Sequence, residues 1–258
     1  MTNLNVQEKS RGVVLFAFNT STINYEKIAE RSARLIKHIL NLPVTIITEK
    51  DVDNTLKNFK NSDQLEWRNG DRYRAYNLSP YDETLLLDSD YLTLDDSLLK
   101  LFDQEFDYRL QHHNEMISVT NDFKMGVIGL PYVWATVVFF RKTVKAKLFF
   151  ELVARIQHNY NYYRRLYHIS SGSFRNDYAF AIANNILNGY DLGINQSIPW
   201  TMLTIDKNIN AIEIKNSKLI IRQDDQAYVL SKQNIHIMDK QYLLSDSHEK
   251  FLDIVCKN

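Results

Sequence analysis

The chain has one cysteine, Cys256, among 258 residues. Without a second thiol neither an internal disulfide framework nor a cysteine-built zinc site can form, and a reducing compartment is expected. No apolar run approaches the ~18 residues of a membrane span, and the opening MTNLNVQEKSRG lacks the apolar core of a secretion signal. The expectation is a soluble, cytoplasmic protein with no membrane partner. Internal repeats and low-complexity linkers are also absent, so residues 1–258 read as a single domain, large enough to bury its own core. A glycine-rich phosphate loop is missing too, because the turn that would carry it, Asn19-Thr20-Ser21-Thr22, contains no glycine.

Net charge is zero, and the composition, 45% hydrophobic and 24% charged, is that of an ordinary globular chain. The charge is unevenly placed. From Arg141 to Arg175 eight basic residues face one acid, Glu151, a formal +7. Such a segment is either a solvated face or a site for a polyanion.

Arg11 to Asn19 is a continuous apolar run ending in a polar loop, the pattern of a buried parallel strand. Helical spacing over Tyr25 to Leu40, a break at Pro43 and the β-branched run Val44 to Thr48 complete a βαβ unit. Arg72 to Leu78 reads as a helix stopped by Ser79-Pro80, and Thr84 to Leu87 as a short strand feeding Asp88-Ser89-Asp90. Strands are predicted at Met116–Val119, Val137–Arg141 and Asn234–Met238, and as a pair within Ala211–Gln223. Helices are predicted at Val144–Gln157 and Asn176–Leu187, the second closed by Asn188-Gly189. The alternation implies an α/β fold, with an open, mixed but mostly parallel sheet carrying helices on both faces and a site beyond the strand ends.

Asp88 and Asp90 leave an apolar strand one residue apart. In extended backbone positions i and i+2 point the same way, so both carboxylates can face one hard cation. Alone, the pair is equally two solvated acids at a turn.

The context is more specific. Arg72 to Tyr81, Thr84 to Leu94, and then Leu98, Leu99, Leu101 and Phe102 resemble the central block of glycogenin-like (family 8-type) GT-A glycosyltransferases. That block has a basic residue and short helix, a Ser-x-Tyr turn, an apolar strand, the Asp-x-Asp motif and a hydrophobic helix ending in Leu-Phe. Later segments keep the family's order with departures. Ala135-Thr136 stands where Asn-Ser-Gly is usual, Tyr178 replaces the usual Gln after Asp177, and Asn234 to Lys240 lacks the family's Gly and Pro-Trp.

The resemblance implies the GT-A fold and transfer of a sugar, with retention, from a UDP-sugar or other nucleotide-sugar. Mn²⁺ or Mg²⁺ would be held by Asp88, Asp90 and His236. Asn19, Thr20, Tyr25 and Arg72 would lie near the base and ribose, Ser89 and Lys240 would complete the donor contacts, and Asp177 with Asn176 would act beside the sugar. On residue chemistry alone, His236 is also a core histidine bonded to a carbonyl, and Asp177 also a favourable charge at a helix N-terminus.

His158 to His168 interleaves tyrosine and arginine, and a basic aromatic insertion or lid is expected around residues 155–175. Arginine with tyrosine suits a nucleic-acid acceptor; equally, the rings pack on the domain and the charges are solvated. Frequent Asn, Lys, Ile and Tyr fit an AT-rich genome such as a phage's, where a hydroxylated DNA base is one class of acceptor and the host cytoplasm the location. Two rivals remain: a nucleotidyltransferase, and a non-catalytic nucleic-acid-binding module.

Overall fold

The computed structural model describes residues 9–52, 58–59, 66–67, 70–117, 124–125, 130–191, 196–206 and 208–257. β1 (Arg11–Phe16), α1 (Tyr25–Leu40) and β2 (Val44–Ile47) form the predicted βαβ unit. Helix α1 starts where the Asn24 side chain accepts the Lys27 amide at 2.9 Å, and ends at Asn41, whose φ of 52° is left-handed. Two short strands, β3 (Asn58–Phe59) and β4 (Glu66–Trp67), pair with each other. A 3₁₀ turn, Arg72–Arg74, runs into α2 (Ala75–Leu78), and the chain then enters β5 (Glu83–Leu87).

β5 lies beside β1, in parallel, and all five of its residues are buried. Gly12 of β1 is required there, because a Cβ would meet the Tyr81 ring at 2.3 Å. After the Asp88–Asp90 turn come β6 (Tyr91–Leu92), β7 (Tyr108–Gln111), β8 (Asn114–Met116), β9 (Lys124–Met125), β10 (Leu130–Pro131) and β11 (Trp134–Arg141). The central sheet runs β2-β1-β5-β11-β7: its first pairings are parallel, while β11 is antiparallel to both β5 and β7.

Three helices follow, α3 (Val144–His158), α4 (Tyr160–Leu166) and α5 (Asn176–Leu187). Phe149 and Phe150 of α3 pack edge-on against Phe180 of α5. Gly189, at φ 67°, follows α5 as the sequence predicts. The rest of the chain holds β12 (Met202–Ile205), β13 (Ile209–Lys215), β14 (Lys218–Gln223), β15 (Gln226–Ser231), β16 (Ile235–Ile237), α6 (Lys240–Leu244) and α7 (Asp246–Lys257).

A second sheet, β6-β16-β12-β8, adjoins the central one, and β13-β14-β15 is a separate antiparallel meander. Asn216 and Ser217, both at positive φ, make the tight turn between β13 and β14. α1 joins the two hydrophobic cores: Ala29, Ala33 and Ile36 pack in the core of the central sheet, Ile28 and Leu35 in that of the C-terminal region.

Several sequence expectations change. The strand predicted at Met116–Val119 occupies Asn114–Met116, and residues 118–119 lie outside the described residues. Ser97–Leu101 winds as a 3₁₀ helix. β12, β15, α6 and α7 were not read from the sequence at all. In the 155–175 stretch, Tyr160, Tyr167, Ile169 and Phe174 are buried in the main core, so these residues pack on the domain. Among the described residues no helix is long and apolar enough to cross a membrane.

Candidate metal and donor site

β5 belongs to one sheet and β6 to the other, and Asp88-Ser89-Asp90 is the turn between them. The Tyr91 amide donates to the Asp88 carbonyl at 3.1 Å, closing a β-turn. The two carboxylates are therefore brought together by a turn, and not by the extended i, i+2 backbone expected from sequence. β16 pairs antiparallel with β6 in a register that sets His236 opposite Tyr91, and the Ile237 amide donates to the Asp90 carbonyl at 3.0 Å. Backbone pairing alone thus carries His236, nearly 150 residues downstream, to the Asp pair. Ligand atoms of Asp88, Asp90 and His236 lie within 4.8 Å of one another.

Two carboxylates and an imidazole suit a hard or borderline divalent ion such as Mn²⁺ or Mg²⁺. Each carboxylate also has a cationic partner: Arg72 donates to Asp88, and Lys240 to Asp90. Burial by itself would raise the Asp90 carboxyl, but Lys240 and then His236 outweigh it and hold the group far below the usual carboxylate range. Burial, followed by the charges of Asp90 and Asp88, pushes the Tyr25 hydroxyl well above the usual phenol value, so Tyr25 stays a neutral donor.

Arg72 is buried, and its Nε and Nη2 find no partner among the described residues. Buried N–H donors of this kind are costly unless a ligand completes them.

A cleft of about 320 Å³ unites these groups. Tyr25, Arg72, Asp88, Ser89, Asp90, Asn176, Asp177, His236 and Lys240 all line it, so the structure gathers most of the predicted residues. Asn19 and Thr20 are not in its lining. The Asn19 amide donates to Glu26 Oε1 and its oxygen accepts the Glu26 amide, at 2.9 and 3.0 Å, while Thr20 Oγ1 accepts the Ile23 amide at 3.0 Å. Both side chains build the loop ahead of α1.

Asp177 stands in the first turn of α5, where its Oδ1 accepts the Ala135 amide at 3.0 Å. Ala135 falls where β11 shifts register, so its N–H is outside both strand ladders. Oδ2 accepts from Arg175, at 3.0 Å from Nε and 2.8 Å from Nη2. Asp177 is thus fixed in the cleft lining by the Ala135 amide and the Arg175 guanidinium. Arg175 itself lines the cleft, a place that sequence reasoning missed because it gave this residue no role beyond the basic segment and the stretch leading into Asp177. The adjacent Asp177 was the available signal.

No protein-family model matches the chain, and no curated protein does so. Among solved structures, an active-site mutant of LgtC is similar at 15% identity and a TM-score of 0.43, over 66% of this chain and 69% of that one. The glycosyltransferase GlyE of Streptococcus pneumoniae TIGR4 is similar at 14% identity and a TM-score of 0.40, over 73% of this chain but only 45% of its own. A glycosyltransferase involved in glycosylating the major capsid of PBCV-1 is similar at 11% identity and a TM-score of 0.36, over 74% and 80% of the two chains. These are distant likenesses, and function is argued below from the side chains of the cleft.

Proposed function

We propose that the chain is a metal-dependent glycosyltransferase that moves a sugar from a nucleotide-diphosphate donor, such as a UDP-sugar, to an acceptor hydroxyl with retention. The observation that carries this reading is the meeting, in one cleft, of three ligands for a divalent ion with two cations suited to a diphosphate, one of which holds spare buried donors.

The charged side chains of the cleft balance, Arg72, Arg175 and Lys240 against Asp88, Asp90 and Asp177. A divalent cation arriving with a doubly charged diphosphate preserves the balance, whereas either one alone upsets it.

Asp88, Asp90 and His236 would hold the ion, whose chemistry is to neutralise charge on the leaving diphosphate. Arg72 and Lys240 donate to phosphate oxygens, and Tyr25 and Ser89 offer hydroxyls along the same wall. Asn176 and Asp177 face the sugar end, where Asp177, held by the Ala135 amide and Arg175, acts as a fixed acceptor for a sugar hydroxyl. No side chain is assigned as general base. With retention the acceptor hydroxyl attacks from the side the diphosphate leaves, the new C–O bond replaces the C–O bond to phosphate, and the proton passes to the departing phosphate oxygen. Rate enhancement comes from positioning and electrostatics.

The acceptor reading is a hydroxyl-bearing DNA base approached through Arg164 and Arg165 of α4, for which no acidic partner is found among the described residues. Incubating the protein with a panel of nucleotide-sugars and Mn²⁺, and measuring release of nucleoside diphosphate, tests the enzyme reading. Metal-dependent release from at least one donor is expected. Release of pyrophosphate from nucleoside triphosphates would favour the nucleotidyltransferase. A salt-sensitive DNA shift with no release from any donor would favour the binding module.

A further inference from the structure

An imidazole can ligate a metal only through a nitrogen that carries a lone pair and no proton, so the tautomer of His236 decides whether it completes the Asp pair. Its Nε2 lies 3.5 Å from Asp90 Oδ1, and its Nδ1 points the other way, 3.3 Å from Thr204 Oγ1. We propose that Thr204 and Asn114 are positioning residues that hold His236 as the Nδ1–H tautomer and so present the Nε2 lone pair to Asp88 and Asp90. The proposal rests on the metal reading above and extends it to residues outside the cleft.

Strand register builds the arrangement. In the second sheet Thr204 of β12 is directly opposite His236 of β16, and Asn114 of β8 is opposite Met202, two residues before Thr204. Side chains two apart on a strand share a face, so all three polar groups meet on one side of the sheet. Thr204 is fully buried and its hydroxyl has a single proton to give. That proton goes to Asn114 Oδ1, at 2.5 Å. Toward His236 the hydroxyl can then offer only a lone pair, which makes Nδ1 the donor. Polarity runs from His236 through Thr204 to Asn114.

Two alternatives oppose this wiring. Asp90 is an anionic acceptor near Nε2 and competes for the ring proton. An Asn114 amide turned over would donate to Thr204, which would then donate to Nδ1 and leave the proton on Nε2, where it blocks a metal. A separation of 2.5 Å falls in the O–H···O range and is short for an N–H···O bond, which favours the order with Oδ1 toward Thr204, although it leaves the buried Asn114 Nδ2 without a partner among the described residues. Ligand histidines are commonly fixed through their second nitrogen in this way, and losing the outer partner lowers metal affinity.

The test uses the full chain labelled with ¹⁵N-histidine, its ring nitrogens read by NMR without metal at about pH 8, above the ordinary histidine range. The wild type should show His236 protonated at Nδ1 and bare at Nε2, and Thr204→Ser should keep that pattern. Thr204→Val, similar in volume but without the hydroxyl, should move the proton to Nε2 and weaken binding of Mn²⁺ alone by about 10–100-fold, followed by the electron-spin signal of the free ion. Asn114→Leu, at a partly buried position, should do the same by freeing the Thr204 proton for Nδ1. A wild-type ring protonated at Nε2 would overturn the proposal without any variant. So would Thr204→Val with an unchanged tautomer and Mn²⁺ affinity. If Asp88→Asn abolishes Mn²⁺ binding while Thr204→Val and Asn114→Leu leave it intact, the metal reading stands and the positioning role falls. If Asp88→Asn binds Mn²⁺ as the wild type does, the metal reading itself falls.

Discussion

The turn at Asp88–Asp90 and the segment from Arg141 to Arg175 are the two places where the sequence concentrates charge, and folding treats them differently. The two acids end at a sheet junction and meet His236, Arg72 and Lys240 in one cleft. The basic residues are dispersed. Arg141 is buried in an ion pair with Glu83, its Nε 2.6 Å from Oε1, and also donates to the carbonyls of Phe106 and Phe102. Lys147 pairs with Glu151 along α3, and Arg175 is held by Asp177. Three of the eight basic residues are therefore engaged one by one with separate acids, so the formal +7 is not all free for a single partner. Charge that leaves a strand end is gathered by the next strand, whereas charge spread over helices is divided among whatever each helix face meets.

The strongest way to break the comparison is at the acids. Asp90→Asn is expected to lower metal-dependent nucleoside diphosphate release by on the order of 100-fold or more, and Asp88→Asn likewise, with circular dichroism unchanged. His236→Ala should weaken the metal titration along with turnover. Full activity in either Asn variant would remove the metal assignment.

Among the basic residues, Arg141 should matter most, through stability and not through catalysis. Removing it leaves Glu83 buried with Arg11 and the more distant Lys9 as its remaining cationic partners among the described residues, so Arg141→Met is expected to cost about 3 kcal/mol in urea unfolding. Burial by itself would raise the Glu83 carboxyl, but Arg141 and then Arg11 hold it below the ordinary value. A lowered folded value means that the stabilisation is complete above the unfolded glutamate pKa of about 4.3, and is lost as pH falls through the lowered value. Glu83→Gln should accordingly flatten the acid limb of the stability profile. An unaltered profile would show that Glu83 is not the group being titrated.

The smallest effect on stability is expected for Arg164 and Arg165 replaced together by alanine, about 0.5 kcal/mol or less in the same unfolding experiment. These variants sharpen the comparison by their binding instead. If α4 meets a polyanionic acceptor, its DNA affinity should fall and depend less on salt, while hydrolysis of the donor by water continues. An equal loss of donor binding would place these arginines on the nucleotide. Absence of any salt-sensitive DNA affinity in the wild type would return the acceptor to a protein or a glycan.

The sequence by itself determined the local elements. The bounds of α1 and α5 and the two halves of the β13–β14 turn agree with the reading from periodicity, Pro43 and Asn188-Gly189, because helix ends, chain breaks and apolar spacing act over a few residues. It also indicated Asp88, Asp90 and His236 as a set, through resemblance to a known arrangement of motifs. Only the tertiary structure decided how they meet: by a β-turn between two sheets and the register of β16 on β6. It engaged Asn19 and Thr20 within their own loop, brought Arg175 to the cleft, and set Thr204 and Asn114 behind His236. Those outcomes depend on strand register and on ion pairs between residues distant along the chain. Packing fixes such contacts, and the identity of sequence neighbours does not encode them.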